Sequence, residues 1–233
     1  MEAAGQPPQP PLPSPKRVDV GRTISETFRI YGENAGVLLG TAAAVFVVAG
    51  LIQGLLAASG GVLLALLGSI VVLVGVTLYT GFVTKLVEDV RDGRRDFTVG
   101  ELLSSAAGVL GALIGNSILR AIGIGIGLIL LVVPGLILLT IWAVTAPAIV
   151  IERRGAIEAF GRSWELVKGD GWSVFGVIVV AFVITFAISF VAGIIGAALG
   201  DAGQIVFSII GNIIGAPISA LVAAVLFLSL IHI

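Results

Sequence analysis

The feature that most constrains this chain is a succession of uncharged apolar runs, each longer than the roughly 18–20 residues needed to cross the hydrocarbon core of a bilayer. They recur along most of the 233 residues. They are continuous rather than alternating, which excludes the roughly ten-residue segments of a membrane β-barrel. Only 12% of residues are charged and 58% are hydrophobic, about half the charge of a soluble domain. The sequence therefore predicts an all-α membrane protein of about six transmembrane helices.

The spans read as follows. The first covers about 35–58 and the second about 62–87, joined by Ser59-Gly60-Gly61. Residues 102–151 hold the third and fourth, because 50 residues exceed one crossing. Gly123, Gly125 and Gly127 are the expected turn between them, with Arg120 reaching the far interface. Pro134-Gly135 is expected to kink the fourth span. The fifth covers about 172–199 and the sixth about 205–228.

Between spans lie amphipathic, charged segments. In residues 19–33, Val20, Ile24, Thr27, Phe28 and Tyr31 share one helical face, with Arg22, Glu26, Arg29 and Glu33 on the other. The spacing allows Arg22–Glu26 and Arg29–Glu33 pairs, and such a helix is expected to lie flat at the headgroups. In residues 155–168, Ile157, Phe160, Trp164 and Val167 oppose Glu158, Arg162, Glu165 and Lys168. Thr98 and Glu101 have the spacing of a capping box. These cytoplasmic-side helices, each followed by two spans, read as three helical-hairpin repeats. Glycines four apart, such as Gly36/Gly40, Gly111/Gly115 and Gly211/Gly215, are expected to let helices approach.

Charge gives an orientation. Of 13 Lys and Arg residues, all except Arg120 fall on one side of this layout. By the positive-inside rule that side is the cytoplasm, in a prokaryotic inner membrane with a cytoplasmic N-terminus. Residues 1–18 read as a Pro-rich tail containing a Pro7/Pro10 PxxP spacing, and 19–227 as the membrane domain. Residues 228–233, LSLIHI, are the translation of CTGTCTCTTATACACATCT, a transposon end used in preparing sequencing libraries, and read as a sequencing scar.

The chemistry on offer is narrow. There is no cysteine, and the one histidine, His232, lies in that terminal string. Thiol chemistry, Ser-His-Asp hydrolysis and His-ligated metals have no residues to work with, so no catalytic, metal or cofactor site is expected. The acid pairs Glu88/Asp89 and Asp92/Asp96 lie among Arg91, Arg94 and Arg95 and read as a solvated loop. A net charge of −1 gives no field for nucleic acid. The expected partner is the lipid bilayer, with anionic headgroups facing the basic loops. The oligomeric state has no sequence signal.

One stretch is denser in distinctive residues than the rest: Pro134-Gly135, Pro147, Glu152, then Ala159, Arg162, Ser163, Trp164, Leu166 and Gly169. With residues 26–34, ETFRIYGEN, it resembles a bacterial and archaeal family, the membrane domain associated with glycerophosphoryl diester phosphodiesterases and its stand-alone relatives. The resemblance covers residues 19–227 and implies a six-span membrane domain. The soluble phosphodiesterase domain fused to some members has no counterpart here, so its activity is not implied. The shared residues read as a structural junction. Arg162 is placed to reach Glu158 or Glu152, Ser163 to bond a backbone carbonyl, and Trp164 to anchor at the headgroups. The expectation is a non-catalytic accessory or scaffolding domain; the alternative is a small-solute or lipid transporter.

Overall fold

The computed structural model describes residues 17–93 and 98–232, with the side chain of Asp201 left aside. Arg94, Arg95 and Asp96, and almost all of the Pro-rich segment, lie outside the described residues. The described chain is helical, with no strand: α1 (Val20–Glu33), α2 (Ala35–Ala58), α3 (Val62–Asp92), α4 (Val99–Ala107), α5 (Leu110–Leu130), α6 (Val132–Ile141), α7 (Thr145–Glu152), α8 (Glu158–Val167), α9 (Gly171–Ala198) and α10 (Gly200–Ile231). Six segments are long and apolar enough to cross a membrane, the fourth formed by α6 and α7 together. The protein is a multi-pass membrane protein. The order is a short helix then a hairpin, three times: α1 with α2–α3, α4 with α5–α6/α7, α8 with α9–α10.

The hairpins close where side chains are absent. Gly60 and Gly61 turn α2 into α3 with φ of 78° and 109°, the left-handed region that favours glycine. A Cβ on Gly135 would lie 2.4 Å from Leu128, and one on Gly127 would lie 3.0 Å from the backbone of Gly135. In hydrocarbon no hydrophobic drive separates helix from lipid, so close backbone packing has to supply the attraction. The four-apart glycines divide: Gly36, Gly40 and Gly111 face open space, whereas a Cβ on Gly115 or Gly211 would lie within 3.5 Å of an alanine on a neighbouring segment.

The Gly123–Gly127 cluster is therefore not the turn. α5 runs through it to Leu130, and Leu131 alone separates α5 from α6. The cluster lets the hairpin partner approach, since Gly123 lies under the Trp142 indole, 2.5 Å from where a Cβ would stand. Arg120 consequently sits at the centre of α5, ten residues from each end, and not at the far interface. Pro134 does not kink a span either. It occupies the first turn of α6, where its missing N–H has no helical partner to lose.

The most enclosed element is α10. Its stretch Ile218–Leu230 is buried almost throughout, with Leu221, Ala224, Val225 and Phe227 fully so. It packs along α9 and also meets α1, α2, α3, α7 and α8. Helix α1 packs against α10. Asp19, Arg22 and Thr23 share a cavity with Val225, Ser229 and His232, while the Tyr31 hydroxyl donates to the Ile214 carbonyl at 3.4 Å. α1 thus runs antiparallel to α10. Its inner face is Thr23, Thr27 and Ile30, and Phe28 points outward. Both threonines return their hydroxyls to their own helix, so small polar residues fit the contact without an unsatisfied group. Arg29 pairs with both Glu26 and Glu33 at 2.8 Å, which leaves the Arg22–Glu26 pair unmade. Val18 is already buried, one residue before the expected edge of the packed domain, and α10 runs without interruption through 228–231.

The packing argument yields a contrast within one helix. Gly127→Ala is expected to lose about 1–3 kcal/mol by overpacking the hairpin. Gly125→Ala, with nothing within 4 Å, is expected to be neutral or to gain up to about 1 kcal/mol of helix propensity. Thermal unfolding in detergent measures both, and equal midpoints would refute the close-packing account.

Candidate functional site

The fourth span is broken. α6 ends at Ile141, residues 142–144 form a turn, and α7 begins at Thr145. Pro147 explains the position. It has no N–H to give to the carbonyl of Ala143, four residues back, and its ring crowds that carbonyl. Proline is best tolerated in a first turn, and α7 starts at Thr145, two residues upstream of it.

A break inside an apolar segment frees backbone groups, each costing about 1–3 kcal/mol if buried unpaired. Ser163 repairs it. Its hydroxyl donates to the Ile141 carbonyl at 2.7 Å and accepts from the Val144 amide at 3.3 Å. Ser163 is fully buried, so the interaction is sheltered. Thr145 adds a bond to the Trp142 carbonyl at 3.3 Å. One hydroxyl from α8 thus joins the last carbonyl of α6 to the first amide before α7.

α8 reaches the break by packing against α6 and α7, and the segment that leads into it meets α5. Asn116 donates to the Ala156 carbonyl at 2.8 Å, and Ser163 meets the turn whose Trp142 covers Gly123. Residues 116 and 123 of α5 are about 10 Å apart along the axis. The buried face of α8 is Ala159, Ser163 and Val167. Phe160 packs edge-on against Trp142 with centroids 4.7 Å apart. Trp164 is 49% exposed and Ile157 75%, so the expected apolar face divides between the protein and its surroundings.

A charge clamp fixes the other end of α7. Arg162 Nε lies 2.9 Å from both oxygens of Glu152, and Nη2 lies 2.8 Å from Oε1. Arg154 approaches the same carboxylate at 3.2 Å. The hydrogen bonds that Arg162 donates to the Glu152 carboxylate hold its guanidinium above its ordinary pKa. Of the two partners expected for Arg162, the structure selects Glu152. Glu158 instead accepts from the Gly155 amide at 3.2 Å. Arg153, at the exit itself, adopts φ 56°, a left-handed conformation unusual for a side chain of this size, and reaches Ser105 on α4 at 3.2 Å. The expected capping box of Thr98 and Glu101 starts that helix.

The structure therefore brings Pro147, Glu152, Arg162 and Ser163 into one junction. It does not bring Pro134 and Gly135 there, since they close the opposite end of the hairpin. Gly169 has no positive φ and an open Cβ position, so nothing in the structure explains glycine there.

Two further cavities lie at the charged end. One, of about 260 Å³, is lined by Lys85, Glu88, Asp89, Asp92 and Glu101. It holds the acids expected in a solvated loop, and among the described residues no group of His, Cys or acids is placed to hold a metal ion. The other, of about 640 Å³, is a groove between α6 and α9, with Arg17 and Lys168 beside an apolar wall. Sequence reasoning missed Trp142, whose contact with Gly123 depends on the hairpin register, and Arg17, which becomes part of a site only when α1 folds back along α10.

A family model described as Domain of unknown function (DUF7847) matches residues 95–230. The matched stretch takes in the whole junction and most of α10. No curated protein and no solved structure matches the chain. The family description contains no link to the phosphodiesterase-associated membrane domains.

The junction predicts a graded response. Ser163→Ala, which strands two buried backbone groups, is expected to cost about 1–3 kcal/mol in detergent unfolding. Arg162→Lys, which loses the two-pronged contact, is expected to cost about 1 kcal/mol. Trp164→Phe is expected to leave stability unchanged; a Ser163→Ala midpoint equal to it would show that the hydroxyl bridge is dispensable.

Proposed function

Taking as premise that the chain belongs to the DUF7847 family, a domain of unknown function, we propose that it is a non-catalytic accessory or scaffolding membrane domain acting at the cytoplasmic leaflet of a prokaryotic cell membrane. The observation that carries this reading is the junction. A broken span is sealed by Ser163 and clamped by Glu152–Arg162, so its polar groups are spent on holding the fold. Gly68, Gly75, Gly127 and Gly196 draw the hairpins to near contact, which suits a closed bundle. The partner is the lipid bilayer. The concentration of Lys and Arg at one end supports a cytoplasmic placement of that end and of the N-terminus.

The same junction residues carry the likeness to the membrane domain associated with glycerophosphoryl diester phosphodiesterases. That relation is part of the proposal. It is supported by Pro147, Glu152, Arg162 and Ser163 converging in space, as a shared structural motif would.

A second reading has its own support. The break at 142–144 lays its Trp142 on Gly123, about one turn from Arg120, an ionisable residue at the centre of α5, and broken spans beside intramembrane charges are a mark of transporters.

Two measurements test the proposal. In reconstituted liposomes, flux of small anions and fluorescent lipids is expected to match protein-free vesicles. Protein-dependent flux abolished by Arg120→Gln would establish the transporter reading instead. Reporter fusions after Arg95 and after Arg154 are both expected to report cytoplasm, and an external signal from either would overturn the orientation.

A further inference from the structure

We propose that the groove between α6 and α9 is a binding site for one membrane glycerophospholipid with an anionic headgroup, its phosphate held between Arg17 and Lys168. The inference rests on the reading that the charged end meets a headgroup layer, and gives that surface a specific ligand.

The groove has two chemically distinct parts. Its wall is apolar, with Val133, Leu136 and Ile137 of α6 facing Trp172 and Phe175 of α9. Val133 and Ile137 are more than half exposed and Trp172 is 88% exposed, so this wall belongs to the surface that faces hydrocarbon. Its mouth is polar, formed by Arg17, Lys168 and Asp170, with Thr140 and Ser173 below. Among the described residues neither Arg17 nor Lys168 forms an ion pair or a side-chain hydrogen bond, whereas Arg29, Arg91, Arg154 and Arg162 all have carboxylate partners. Two unpaired cations against one carboxylate leave the mouth net positive.

That combination selects the occupant. A soluble anion would have no use for the apolar wall. A neutral lipid would leave both cations without a counter-charge. An acyl chain along α6 with a phosphate at the mouth satisfies both parts, and the volume of about 640 Å³ falls within the ordinary range of ligand sites. The α8–α9 turn that carries Lys168 and Asp170 is positioned by the Ser163 bridge, so the mouth is built on the rigid junction rather than on a loose loop.

The test is native mass spectrometry of the full chain released from detergent, with phosphatidylglycerol and phosphatidylcholine offered at equal concentration. Wild type is expected to retain one phosphatidylglycerol in preference to phosphatidylcholine. Arg17→Gln with Lys168→Gln is expected to lower that retention by about tenfold or more, the effect of removing two basic residues beside an anionic headgroup. Ile137→Trp, which fills the slot and leaves the charges, is expected to abolish retention of either lipid. Arg22→Gln, removing a cation at the same end but outside the groove, is expected to behave as wild type. Equal retention of both lipids by wild type, or an undiminished preference in the double variant, would overturn the site. These readouts do not depend on flux, so a failed site and a failed scaffold reading are told apart by which measurement departs.

Discussion

The bridge from Ser163 to Ile141 and Val144 is the interaction on which the rest of the arrangement depends. Pro147 favours a break in the fourth span, although α10 carries Pro217 without one, and an apolar environment makes an unsealed break costly. A hydroxyl is both donor and acceptor, so one side chain serves the carbonyl on one side of the break and the amide on the other. A larger polar residue would not enter the fully buried position. The requirement holds α8 against α6 and α7, and with it the turn that leads into α9.

The positions of the charges follow. With α8 held there, Arg162 is brought back over the end of α7 and meets Glu152 ten residues upstream. Its helical neighbour Glu158 is left to hold the Gly155 amide. The α8–α9 turn comes to rest against α6, which places Lys168 at the head of an apolar groove. α1 stands along α10 with threonines inward, and the same fold-back that buries Val18 carries Arg17 to the groove's other side. Helix α10 is the common surface for these elements, which is why its second half is the most enclosed part of the molecule.

Two distributions of polar groups bear on function in different ways. At the junction they are matched to one another and serve the fold. At the groove mouth two cations have no protein partner, and at the centre of α5 Arg120 also has none among the described residues. The first kind supports a scaffold, and the second marks the places where a scaffold meets something else. The groove opens on an apolar wall and a net positive mouth together, which gives it a ligand chemistry that Arg120 alone does not have.

Much was legible in the chain because a bilayer imposes simple rules. Run length predicted six helices long and apolar enough to cross, which the structure has, and Thr98 with Glu101 marked a helix start that the structure keeps. The motif residues Glu152, Arg162 and Ser163 were recognisable as a junction. What the residues could not disclose was partnership across helices. The Gly123–Gly127 cluster reads as a turn because glycine ends helices as readily as it lets another helix approach, and only the Trp142 contact distinguishes the two. Arg162 has two carboxylates in range by spacing, and the choice between them depends on the path of α8. The amphipathic α1 carries the pattern of a surface helix, yet its threonines fit α10. Local sequence determined which segments are helical and apolar, since those properties belong to a few consecutive residues. The break's repair, the clamp and the groove depend on residues far apart in the chain meeting in a given register, and that was decided by tertiary packing alone.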